Sequence, residues 1–161
     1  AQVGVATIVT ATLYEFLRSI NPDDIDVDAL VAAHAPLEDL ESAVRSRHAN
    51  RAEEVWQEFS NKHPTAEQLR RELTAIREGW RELWADVGTT LRPPERIRNI
   101  LTAAGAPVTM GALGLESGHL RRAFLTAREI RNRFTVLDLA ADLGVLESRA
   151  ESVLQASGCL T

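Results

Sequence analysis

Three arginines that lie close together in the sequence are the best candidates for chemistry in this chain. Arg128, Arg131 and Arg133 belong to the string AREIRNRFTVLD, just before the start of a predicted helix. Guanidinium groups bind phosphate and carboxylate through paired hydrogen bonds, and the free N–H groups at a helix start also favour an anion. The string is therefore compatible with a phosphate site. It is also compatible with an arginine face that is solvated or paired with acids, and the sequence leaves both interpretations open.

The other reactive residue types form no recognisable motif. The acidic run DDIDVD places Asp at alternate positions as a calcium loop does, but Ala29 and Ala35 stand where that loop needs Gly and Glu. No serine lies in a nucleophile elbow, and no glycine-rich phosphate loop follows a strand. Four histidines are far apart in the sequence: His34, His48, His63 and His119. Local motifs therefore predict no catalytic residue and no metal ligand in this chain.

Length, charge and cysteine content limit the classes of protein to consider. The 161 residues carry a net charge of -5 with a pI near 5.4, so bulk charge predicts neither a nucleic-acid partner nor binding to an anionic membrane. A single cysteine, Cys159, cannot form an intrachain disulfide and favours a reducing, cytoplasmic setting. A chain of this length suits one core, so we expect a single helical domain over residues 1–161.

The elements that must position any site are helices. Apolar residues recur at spacings of three and four along the chain, which predicts an all-α fold, a multi-helix bundle. Turns are expected at NPDD and at the glycines and prolines between helices. The predicted helices cover about residues 1–20, 26–34, 36–62 with a break near 48–50, 65–87, 93–104, 120–130 and 146–156, and a further helix starts at Thr135.

Two helix starts have the residues of a capping box. Thr65 with Gln68, and Thr135 with Asp138, have the spacing at which a side chain at each position bonds the backbone N–H of the other. The helix after Thr65 carries apolar residues at alternating spacings of four and three. These residues form an apolar stripe along one face of the helix, which we call the seam. The seam predicts an antiparallel partner helix within the chain, in preference to a dimer contact. Its residues are Leu69, Leu73, Ile76, Trp80 and Leu83.

The opening segment, AQVGVATIVTATLYEFL, predicts a helix that is buried on most sides. Its apolar residues go almost all the way round a helical wheel, and no charge precedes Glu15. It is too short and too rich in threonine for a membrane span of about 20 apolar residues, and it lacks the basic start of a secretory signal. Apolar surface left uncovered on this helix predicts self-association of the chain as a homo-oligomer.

Two stretches resemble a known enzyme family. The region from Ile100 to Leu146 resembles the C-terminal region of the sn-glycerol-1-phosphate dehydrogenases, which belong to the dehydroquinate synthase-like, metal-dependent alcohol dehydrogenase superfamily. The matching features are AGAP at 104–107, the LG that follows, the string A..IR.RFTVLDLA and the trailing LG.L. The opening QVGVATIVTATLYE is similar to the family helix that follows a metal-binding histidine in an HGxQVG motif. The middle of the chain, about 21–92, resembles the family only as generic helices.

The resemblance implies that this chain is the helical C-terminal half of a two-domain enzyme. Such an enzyme reduces dihydroxyacetone phosphate to sn-glycerol 1-phosphate with NADH or NADPH and a bound zinc or nickel ion. The metal ligands and the N-terminal nucleotide-binding domain would lie upstream of Ala1, so we expect no cofactor on this chain alone and no activity from it. Gln2 and Val3 are expected near the metal site, and Arg131 or Arg133 is expected to contact the substrate phosphate.

Two alternatives remain from the sequence. One is a sugar-phosphate cyclase of the dehydroquinate synthase kind, for which the TVLD segment fits less well. The other is an autonomous helical interaction module that pairs with a partner helix through the seam at 69–83.

Overall fold

The chain folds into α-helices joined by short turns, in a computed structural model that describes residues 2–161. These residues contain no β-strand, and the predicted all-α class is confirmed. None of their helices is long and apolar enough to cross a membrane. The α-helices are α1 (Gln2–Arg18), α2 (Val27–Ala32), α3 (Leu37–His48), α4 (Ala52–Ser60), α5 (Ala66–Glu78), α6 (Trp80–Gly88), α7 (Pro94–Ala103), α8 (Ser117–Thr126), α9 (Val136–Asp142) and α10 (Ala150–Ser157). Short 3-10 turns lie at Pro22–Asp24, Ala49–Arg51, Gly111–Leu113 and Ala127–Ile130.

Helix α1 lies at the centre of the fold and packs against α7, α9 and α10. Its buried side chains follow the helical period, and Ile8 and Leu17 are fully covered. Gly4 allows α7 to come close, because a Cβ at this position would lie 3.3 Å from Leu101 Cδ1. Val3 at the start of the helix is 77% exposed. The sequence predicts that α1 is buried on most sides, but the described residues leave this end of the helix exposed.

The apolar core has two parts. The larger part surrounds α1 and includes residues of most other helices. The smaller part is formed by Val44, Val55 and Phe59, which belong to α3 and α4. We call residues 37–60 the α3–α4 hairpin, since the two helices pack against each other around this small cluster. The predicted break near 48–50 is confirmed by the 3-10 turn at Ala49–Arg51.

The seam predicted after Thr65 packs within the chain. The capping box of Thr65 and Gln68 is present, and Leu69 and Leu73 are buried in the main core where α5 contacts α2. The predicted continuous helix to Val87 is wrong in one respect, because the α-helix is interrupted at Gly79. Trp80 follows this break and is buried, with its indole N–H donating to the backbone oxygen of Ile20 at 3.1 Å.

Three expectations for the C-terminal half need correction. Ile100, whose spacing from Ile97 in the sequence predicts an inward-facing side chain, is 60% exposed. The helix predicted to reach Ile130 ends at Thr126, and a 3-10 turn follows that exposes Ile130 and buries Glu129 instead. The last helix begins at Ala150, not near Leu146, since the chain first turns after Gly144, whose φ is +68°. At 127–130, the burial of Glu129 overrides the local apolar spacing.

Cys159 is a core residue. Its side chain is fully buried and its backbone oxygen accepts from Met110 N–H at 2.8 Å. The guanidinium of Arg98 on α7 bonds the backbone oxygen of Ser157 and lies 3.5 Å from the Cys159 sulfur. These contacts fasten the C-terminal end of the described chain to α7.

Candidate functional site

A buried carboxylate, Asp138 at the start of α9, organises the charged centre of the molecule. One of its oxygens lies 2.8 Å from Lys62 Nζ and accepts from Arg128 Nε at 3.0 Å. The other accepts from both the backbone N–H and the hydroxyl of Thr135, each at 2.8 Å. This is the capping box that the sequence predicts. Asp138, whose side chain is 3% exposed, is therefore fully engaged by its neighbours.

A second buried carboxylate, Glu129, joins the α3–α4 hairpin to the rest of the fold. Arg47 donates to it from Nη2 at 2.7 Å and from Nε at 3.3 Å. His48 Nε2 lies 2.6 Å from Oε2 of Glu129, the oxygen to which Arg47 Nε also donates. The paired cation stabilises such a carboxylate. Removal of either partner lowers the free energy of unfolding, because the other charge is left buried and unpaired. The contact therefore attaches the tip of the hairpin to the 3-10 turn at 127–130.

A cleft of about 480 Å³ lies beside this contact, between the hairpin and the body of the fold. The hairpin contributes Leu40 and Arg47 to its wall, and the body contributes residues from α8 to Glu147. The volume is in the range of small-molecule sites. The guanidiniums of Arg47 and Arg128 at this cleft are already paired with Glu129 and Asp138.

The arginine cluster predicted from the sequence is divided by the fold. Arg128 turns toward Asp138 and lies 5.3 Å above the ring of Phe59, a cation–π contact. Arg131 and Arg133 are exposed to solvent. At the start of α9, the Asp138 carboxylate accepts from the Thr135 backbone N–H. A phosphate contact by Arg131 or Arg133 stays a prediction.

Gln2 and Val3, the residues predicted near a metal, line an apolar groove. The groove measures about 520 Å³ and runs between the start of α1 and the segment that includes Met110, Leu115 and His119. Within residues 2–161, no group of three His, Cys, Asp or Glu side chains could hold a metal ion. The described residues therefore do not fit the zinc or nickel ion that the resemblance implies, and a position near the metal stays a prediction for Gln2 and Val3.

Folding brings two of the four histidines together, which the sequence did not predict. The rings of His34 and His63 stack with centroids 4.6 Å apart and planes 12° apart. Their Nε2 atoms lie 2.8 Å and 3.0 Å from the backbone oxygens of Pro64 and Ala35. Burial is the main cause that lowers the pKa of His63 from 6.5. No local spacing could have revealed this pair, since the α3–α4 hairpin separates its members in sequence.

Asp142, one helical turn after Asp138, is a further carboxyl group at this centre. Burial raises the pKa of Asp142 from 3.8 to about 7. The carboxylates of Asp138 and Glu72 act in the same direction, whereas Arg128 and Lys62 oppose the change. The carboxyl can therefore change charge near neutral pH, a property that a sequence pattern does not disclose.

Comparison with known proteins gives one informative match. A stretch of 62 residues is 42% identical to the glycerol-1-phosphate dehydrogenase (NAD(P)+) of Thermofilum pendens (strain DSM 2475 / Hrk 5). This stretch is similar to a dehydrogenase. It amounts to 38% of the chain and 17% of the length of the relative. No protein-family model matches the chain, and no solved structure matches it significantly. The similarity supports a relationship to that family over the matched stretch.

Proposed function

We propose that this chain is a helical C-terminal part of an NAD(P)-dependent oxidoreductase similar to sn-glycerol-1-phosphate dehydrogenase. The observation that carries the proposal is the 42% identity over 62 residues to a protein of that name. The all-α architecture agrees with a helical half of such an enzyme. The reaction would be the reduction of dihydroxyacetone phosphate to sn-glycerol 1-phosphate.

The nicotinamide and the metal would be held outside the described residues. The hydride would come from NADH or NADPH on a nucleotide-binding domain, and a zinc or nickel ion would polarise the substrate carbonyl. Residues 2–161 offer no group that could hold the metal, so the chain alone is expected to be inactive.

The apolar groove at the start of α1 is our candidate for the surface that meets the nucleotide-binding domain. Val3, which is largely exposed, and Ala6 present apolar side chains there, and Met110 and Leu115 line the opposite side. Exposed apolar grooves of this kind mark sites that another surface covers. Gln2 and Val3 would then lie at the domain junction, near the metal.

Arg131 and Arg133 would bind the phosphate of the substrate. Both are exposed and neither takes part in the ion pair that holds Arg128 to Asp138. A phosphate dianion accepts paired hydrogen bonds from a guanidinium, and removal of such a contact weakens binding more than it slows the chemical step.

The test uses the full-length product of the gene that encodes this chain. We expect it to oxidise NADH or NADPH in the presence of dihydroxyacetone phosphate and zinc or nickel. Arg131→Ala or Arg133→Ala is expected to raise KM for the substrate about tenfold or more, given the energy of a charge-assisted contact. Arg121→Ala is the matched control, since Arg121 is also an exposed arginine, on α8. An unchanged KM in both variants would refute the phosphate role while leaving the reaction itself to the activity assay.

A further inference from the structure

Histidines lie at both ends of the α3–α4 hairpin, where His34 and His63 link the two segments of its base to each other and His48 links its tip to Glu129. His34 and His63 lie in the two segments that connect its base to the body, and His48 lies at its tip. We propose that the stacked His34–His63 pair is a proton-sensitive clasp, so that acidification opens the base of the hairpin while the tip stays attached to Glu129. The proposal does not rest on the dehydrogenase assignment.

The clasp contains two crossed hydrogen bonds between the connecting segments. His34, before α3, bonds the backbone oxygen of Pro64 after α4, and His63, after α4, bonds the backbone oxygen of Ala35 before α3. A carbonyl oxygen can only accept, so each ring must carry its hydrogen on Nε2. The two crossed bonds and the stacked rings together hold the connecting segments side by side.

A second proton has no suitable place in the closed clasp. It would go to Nδ1, and Nδ1 of His63 is buried with no hydrogen-bond partner among the described residues. The charged ring would also lie parallel to the ring of His34 at 4.6 Å. The lowered pKa of His63, caused mainly by burial, agrees with this geometry. The neutral clasp is thus stable above about pH 6.5 and is weakened as the pH falls below that value.

Charged groups from the surrounding elements also bear on the clasp. The 3-10 turn at 127–130 supplies Arg128, which lies over Phe59, whose ring is 5.4 Å from that of His63. Lys62 precedes His63 and pairs with Asp138 of α9. In α2, which precedes His34 in the chain, Asp28 pairs with Arg70 of α5. Asp142 of α9 shares the environment of Lys62 and Arg128 and changes charge near pH 7. Its contribution must therefore be tested separately.

The hairpin has a small core of its own, and α4 also packs against the 3-10 turn at 127–130. Val44, Val55 and Phe59 form a cluster apart from the main core. At the tip, His48 Nε2 lies 2.6 Å from the Glu129 carboxylate. Because Leu40 and Arg47 of the hairpin line the 480 Å³ cleft, opening the base also changes the wall of that cleft.

Fluorine NMR of the full chain labelled with 5-fluorotryptophan tests the proposal. The three tryptophans are distributed suitably: Trp56 lies in the hairpin, and Trp80 and Trp84 lie in the main core. Trp56→Phe assigns the hairpin signal. Between about pH 7.5 and 5.5, the range in which histidine titrates, we expect the Trp56 signal to shift or broaden while the other two signals stay unchanged. A Trp56 signal that does not change with pH, or a change in all three tryptophan signals together, would overturn the proposal.

Variants identify the group responsible. In the double variant His34→Gln with His63→Gln, each amide N–H can still reach a carbonyl oxygen but cannot titrate, so the pH response of Trp56 should be lost. His119→Gln, on α8 and away from the hairpin, is the matched control and should retain the response. Asp142→Asn should retain it as well. Persistence of the response in the double variant, or its loss in Asp142→Asn alone, would contradict the clasp.

Nitrogen NMR of the unaltered chain provides a test that does not depend on the double variant folding. The imidazole spectra should show hydrogen on Nε2 of His34 and His63 near neutral pH, and His63 should titrate below 6.5. Hydrogen on Nδ1 of either ring, or titration of His63 at or above 6.5, would overturn the proposal.

Discussion

Substitution of Asp142 by Asn should make the chain more stable at alkaline pH. Burial raises the pKa of the Asp142 carboxyl from 3.8 to about 7, so the folded state resists its ionisation. An acid whose pKa is raised on folding contributes stability below its unfolded pKa, and this contribution is lost as the pH rises through the folded value. Asparagine keeps the size of the protonated carboxyl and removes the charge.

The magnitude follows from the two pKa values. Each pKa unit corresponds to about 1.4 kcal/mol, so ionisation of Asp142 costs at most about 4 kcal/mol of folding free energy above pH 7. Between about pH 5 and pH 8, the stability advantage of Asp142→Asn should grow by about 2 to 3 kcal/mol. His63 also titrates in this range with the opposite sign, but it is common to both proteins and cancels from the comparison.

Urea unfolding followed by circular dichroism, at about pH 5 and pH 8, measures the difference through linear extrapolation. Asp86→Asn is the matched control, because Asp86 is an exposed aspartate on α6. The reasoning is refuted if Asp142→Asn changes stability by the same amount at both pH values, or if the variant is the less stable protein at pH 8.

The remaining predictions concern the folded structure. Asp138→Ala leaves Lys62 and Arg128 without their buried partner and should destabilise the chain by about 3 to 5 kcal/mol in the same urea assay; a loss below about 1 kcal/mol would contradict the assigned contacts. Thr65→Ala removes a cap bond to Gln68 N–H and should cost about 1 kcal/mol, with no effect meaning that the capping box is not formed. Gly144→Ala puts a Cβ at φ +68° and 3.2 Å from Leu30 Cδ2, and should lower stability by at least about 1 to 2 kcal/mol; an increase in thermal midpoint would rule out that backbone conformation.

Much of the helical architecture could be predicted from local sequence patterns. The capping boxes at Thr65 and Thr135 depend only on residues three positions apart, and the sequence places both correctly. The break after His48 was also foreseen, because polar residues and an asparagine interrupt the apolar spacing there. Such features are determined within one helical turn, so a sequence pattern contains the information that they require.

The charged centre could not be foreseen in the same way. Glu129 looks like a surface residue in an amphipathic pattern, yet it is buried because Arg47 and His48 reach it from the α3–α4 hairpin. Helix α8 ends at Thr126, and the 3-10 turn that follows places Glu129 in this contact. The same holds for Arg128, whose partner Asp138 is predicted as a cap but not as an ion-pair acceptor. Each of these pairs joins separate elements, and only the tertiary fold brings them together.

Analysis of the product formed by the full-length gene product is the most direct test of the proposed function. The protein would be given dihydroxyacetone phosphate, NADH or NADPH, and zinc or nickel, and the stereochemistry of the glycerol phosphate would be determined. We predict sn-glycerol 1-phosphate from the full-length protein and no turnover by residues 1–161 alone. A full-length protein that binds nicotinamide but forms no glycerol phosphate, or one that instead cyclises a sugar phosphate, would contradict the account.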